Sequence, residues 1–107
     1  MAIQVGRSGR DVLKSKTIPL GTDPDTQFET LSRHLHPGEF LILLSEGAQN
    51  AVDEGGLRVG ELAMGFMAAK NLRDSADGML AKIRRLIDRG QESQAEDMTV
   101  LVVKRRK

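Results

Sequence analysis

The sequence has no cysteine, no tryptophan and no tyrosine. Without cysteine there are no disulfides, thiolate nucleophiles or zinc–sulfur centres, which agrees with a reducing cytoplasm. Three phenylalanines are the whole aromatic content, so bases find few stacking platforms and nucleic acid is not an expected partner. Charge of one sign is lacking too: sixteen Lys and Arg stand against fifteen Asp and Glu, a net charge of +1. No global field draws such a chain to polyanions. The N-terminus carries no apolar run of signal-peptide length, and no stretch approaches the ~20 apolar residues of a membrane span. The expectation is a soluble cytoplasmic protein with no membrane partner.

What is present is a globular composition, 39% hydrophobic and 29% charged over 107 residues, enough for one domain or part of one. No internal repeat or low-complexity segment is visible. Residues 2–5 are apolar, "GRSGR" supplies turn glycines, and residues 11–18 alternate weakly, which predicts a β-hairpin. "PLGTDPD" at 19–25 is a loop by its Pro, Gly, Thr and Asp content. Residues 28–35 predict a half-exposed strand, and "HPGE" at 36–39 a tight turn with positive φ at Gly38. "FLILL" at Phe40–Leu44 is the most hydrophobic stretch and reads as a central strand. A helical turn is expected within "AQNAVDEGG", then a helix over 59–71 from the spacing of Leu62, Met64, Phe66 and Met67. A second helix starts at an Asp74 or Ser75 N-cap. Its Met79, Leu80, Ile83, Leu86 and Ile87 keep helical spacing, and Gly90 is the expected stop. "MTVLVV" at 98–103 is apolar on both parities and predicts an interior strand beside Phe40–Leu44. Strands in a run followed by helices give an α+β class: an antiparallel sheet covered on one face by two helices.

If those two strands are antiparallel neighbours, Glu46 and the pair Glu96 and Asp97 project from one edge of the sheet, although about fifty residues separate them. Carboxylate oxygens of this kind suit Mg²⁺ or Mn²⁺; acids at strand ends are also commonly just solvated.

The string "LHPGEFLILLSEGAQNA" at 35–51 resembles the "L-x-P-G-D-x-L-L-L-x-T-D-G-x-x-E-A" stretch of bacterial metal-dependent serine phosphatases of the stage II sporulation protein E type, relatives of the type 2C protein phosphatases. "AEDMTVLVV" at 95–103 resembles that family's "D-D-x-T-L-L-V-V" ending, "TIPLGTDPD" its "PLG" loop, and the passage after Gly56 its "G-x-x-F-G-x-x-R-L" segment. The four blocks follow the family's order.

The resemblance implies the C-terminal half of an αββα phosphatase sandwich, with residues 1–107 a single partial domain. It implies two Mn²⁺ or Mg²⁺ ions that hold the phosphate and activate water, with phosphoserine or phosphothreonine in a regulatory phosphoprotein as substrate. It places metal ligands at Glu46 and Glu96, with Asp97 in the second acid position. Both family aspartates are glutamate here, which shifts the oxygens by about a bond length, and the family's earlier "G-D" motif has no counterpart. Two functions stay open: a phosphatase completed by its missing half, or a non-catalytic module binding regulators of the anti-sigma and anti-anti-sigma kind. Half a sandwich exposes a sheet face, so a homodimer or a separate half-domain is expected to cover it.

Other residues have plainer readings. His34 and His36 are solvated turn histidines more readily than metal ligands. Ser45 orders the turn after the central strand, since no motif places a base near it. Met64, Met67, Met79 and Met98 read as core filler. Gly6 and Gly9 belong to a hairpin rather than a phosphate loop. The basic residues 104–107 read as a charged strand end that discourages edge pairing.

Overall fold

The computed structural model describes residues 1–14, 18–60, 64–90 and 97–107. Four strands, β1 (Ala2–Gly6), β2 (Gly9–Leu13), β3 (Phe40–Leu44) and β4 (Val100–Lys104), form one sheet in the order β2-β1-β3-β4. Every neighbouring pair is antiparallel. Among the described residues, three helices lie between β3 and β4: α1 (Glu46–Asn50), α2 (Met64–Lys70) and α3 (Ala76–Gly90). The class is α+β.

The register sorts the side chains. Ile3 pairs with Ile42 and Ile42 with Val102, while Val5 pairs with Phe40. Ile3, Val5, Phe40, Ile42 and Leu44 are therefore on one face, and all five are buried. Met79, Ile83 and Ile87 of α3, one turn apart, close over that face together with Ala68 of α2. Spacing of i, i+4, i+8 keeps these three on one stripe, and their burial rather than intrinsic propensity holds the helix there. Leu80 belongs to the same sequence pattern but lies 39% exposed at the stripe's margin. The molecule is 19 Å across its thinnest dimension, the depth of a sheet with one helical layer.

Local signals explain the element ends. Gly38 takes φ +85°, the conformation that the Pro37–Gly38 turn demands. Ser75 is the N-cap of α3, its Oγ accepting from Gly78 N at 3.0 Å. Gly90 ends α3 without a positive φ. Its role is close approach: a Cβ there would collide with the Val52 carbonyl oxygen and the Asp53 backbone.

Three expectations need correction. Residues 28–35 form no strand. Side chains rather than a neighbouring strand take its carbonyls: Gln4 Nε2 donates to His34 O at 2.9 Å and Arg105 Nη1 to Leu35 O at 2.7 Å. β4 does lie beside β3, but as an edge strand of this sheet rather than an interior one. Its second face is open, leaving Leu101 52% and Val103 40% exposed; apolar residues on both parities record a need for cover that this chain's helices meet on one side. The helical turn precedes its expected place, occupying Glu46–Asn50, and residues 52–58 instead form a Val52–Arg58 bridge around Asp53. Of the helix expected over 59–71, residues 61–63 with Leu62 lie outside the described residues, as do residues 91–96 of the loop before β4.

Candidate functional site

The acid-bearing corner is built by β3, α1 and the entry to β4. Pairing of Leu44 with Val100 continues one step beyond the strands, since Ser45 N donates to Thr99 O at 3.0 Å. The Ser45 hydroxyl returns the link by accepting from Thr99 N at 2.9 Å. The same oxygen receives Ala48 N at 3.5 Å and so caps α1, with Ser45 extended at φ −68° and ψ 166°. One hydroxyl thus fastens the start of α1 to the start of β4. The turn-ordering role is the one expected of Ser45. The contact with Thr99 is not legible in the sequence, because nothing local to Ser45 marks a residue 54 positions away.

Glu46 follows directly and is exposed in the first turn of α1; Asp97 is exposed two residues before Thr99. The register brings both to one edge of the sheet, as the antiparallel reading requires. Glu96, the third proposed ligand, lies outside the described residues. Among the described residues no three His, Asp or Glu side chains gather closely enough to hold a metal ion. Glu46 and Asp97 both carry the hard oxygen donors that Mg²⁺ and Mn²⁺ take. They do not by themselves make a dinuclear cage.

Asp53, next along the chain, is committed elsewhere. Its Oδ1 accepts from Gly55 N at 3.0 Å and Leu57 N at 2.8 Å, folding the loop after α1. The "D-E-G-G" run was the available signal for this turn. His34 and His36 do lie side by side, ring centroids 4.4 Å apart and edge to face. The Arg105 guanidinium stands 3.3 Å from His34 Nε2, so a cation already occupies the position a metal would need.

Two of the four sequence blocks that resemble the family, the one containing Glu46 and the one containing Asp97, are therefore neighbours in space. A family model described as Stage II sporulation protein E (SpoIIE) matches residues 3–106. The domain is phosphatase-like, and the chain belongs to the stage II sporulation protein E family. No curated protein and no solved structure matches it. No helix among the described residues is long and apolar enough to cross a membrane.

Proposed function

We propose that this chain is the C-terminal half of a metal-dependent serine/threonine phosphatase domain, hydrolysing phosphoserine or phosphothreonine in a regulatory phosphoprotein once completed. The observation that carries this reading is the β3–β4 pairing, which sets Glu46 and Asp97 at one corner of the sheet. Glu46, Asp97 and Glu96 are the residues that would hold Mn²⁺ or Mg²⁺. When bound, such an ion stabilises charge on phosphoryl oxygens. The chain's own contribution is placement: Ser45 locks α1 to β4, and the buried Gly47 and Ala48 seat the first turn of α1 against the core.

The open sheet face supports the sandwich and the expected partner. Leu101 and Val103 alternate with the covered residues and face away from the helices, with Leu41 and Leu43 half-buried beside them. A second copy or a separate half-domain packed sheet on sheet would cover them. The composition supports a cytoplasmic setting.

A second reading is a non-catalytic module that binds regulators of the anti-sigma kind. Glutamate at both family ligand positions favours it. Isothermal titration of Mn²⁺ into the chain, with its oligomer mass measured on the same sample, separates the two. Saturable binding lost in Glu96→Ala and strengthened in the Glu46→Asp, Glu96→Asp variant is the phosphatase outcome. No heat in either protein assigns the chain to binding alone.

A further inference from the structure

At the other end of β3 and β4, four segments distant in sequence line an open cleft of about 1770 Å³. Its walls are the β1–β2 turn, the 36–39 turn, the connection from α2 to α3, and the residues after β4. These walls are fastened to one another. Gly38 N donates to Arg105 O at 2.7 Å and Arg105 N to Glu39 O at 3.0 Å. Lys104 Nζ reaches across to Leu72 O at 3.1 Å and Asp74 O at 2.6 Å.

The cleft gathers charge that the composition conceals. Seven of the sixteen Lys and Arg line it with three of the fifteen acids, a net +4 that leaves the rest of the chain at −3. Two of the cations belong to the walls: Lys104 as above, and Arg105, which holds Leu35 O and His34. Arg7, Lys70, Arg73, Arg106 and Lys107 are exposed and make no ion pair or hydrogen bond among the described residues. The acids are largely engaged. Asp74 is paired with Lys82 at 2.7 Å, and Glu39 accepts from His36 N at 2.7 Å.

We propose that this cleft binds an acidic segment of a partner protein, an extended peptide bearing several carboxylates. Five unpaired cations around one hollow repel each other, and an anionic occupant relieves that repulsion. The cleft is open and its free cations are spread over several walls, so a single small anion reaches few of them. No Phe, Tyr or Trp lines the cleft and His36 is its one ring, so the run of stacking platforms that single-stranded nucleic acid uses is missing. The cleft uses none of the acids at the opposite corner, so this inference stands apart from the phosphatase reading.

The test is fluorescence anisotropy of a labelled Asp- and Glu-rich peptide with the intact chain, with an oligonucleotide of similar length and inorganic phosphate as competitors. Saturable binding of the peptide is expected, weakened about tenfold or more in Lys70→Glu, Arg73→Glu and by raised salt. A control pair outside the cleft, Arg58→Glu, Arg85→Glu, leaves it unchanged. Because Lys70 sits in the last turn of α2, Arg106→Glu, Lys107→Glu beyond the last strand provides a second variant with the same expected loss and no helix involved. No saturable binding, equal loss in the control pair, tighter binding of the oligonucleotide, or full displacement by phosphate would each overturn the proposal.

Discussion

Replacing Ser45 by alanine removes one oxygen and two of its contacts. The Thr99 amide at 2.9 Å loses its acceptor, and α1 loses its cap. The first loss is worth about 0.5–1.5 kcal/mol for a partly solvated amide. The cap adds less than the usual ~1 kcal/mol, because the Ala48 contact is long at 3.5 Å and water can reach Ala48 N once the hydroxyl is gone. The sum is about 1–2 kcal/mol, which lowers the melting temperature of a domain this size by roughly 5–12 °C. Ser45→Thr keeps the oxygen and is expected to stay within about 0.5 kcal/mol of the parent. Urea denaturation of the three proteins measures both values. If Mn²⁺ binds at this corner, its affinity should fall in the alanine variant and survive in the threonine one, because the hydroxyl positions both acids without touching the ion. An alanine variant as stable as the parent, or a threonine variant as damaged as alanine, would refute the argument that this one oxygen joins α1 to β4.

Two further outcomes follow from contacts away from that corner. Lys104→Met keeps the aliphatic stem over Phe40, where the ammonium now stands 4.9 Å from the ring centroid. It leaves the Leu72 and Asp74 carbonyls without their donor, so a loss of about 2 kcal/mol in urea denaturation is expected; a change under about 0.5 kcal/mol would show that water replaces the ammonium. Gly90→Ala would gain about 1 kcal/mol in an unobstructed helix. Here the added methyl meets the Val52 carbonyl, so thermal melting should instead show a loss of about 1–3 kcal/mol.

Where burial and turn chemistry are local, the sequence is informative. The periodicity of Met79, Ile83 and Ile87 predicts α3 and its buried stripe, and "FLILL" predicts β3. Glycine after Pro37 predicts the positive φ observed at Gly38, and Ser75 is one of two caps expected for α3. The pairing of the last strand with β3, which puts Glu46 and Asp97 at one corner, follows from two apolar runs needing each other. Residues 28–35 mislead because alternation alone does not supply a neighbouring strand, and this segment's carbonyls find side-chain donors instead.

The sequence by itself determined the parts: which residues turn, which stripe of α3 is buried, and which strings ally the chain with a phosphatase family. Beyond the β3–β4 pairing, tertiary structure alone decided how distant parts meet. It made β4 an edge strand with one face uncovered, used Ser45 to bind a strand 54 residues away, and collected seven cations from three segments around one cleft. The physical reason is range: turn sterics and helical periodicity act within a few residues, whereas a hydrogen bond, an open face or a concentration of charge is defined by whatever the folded chain brings alongside.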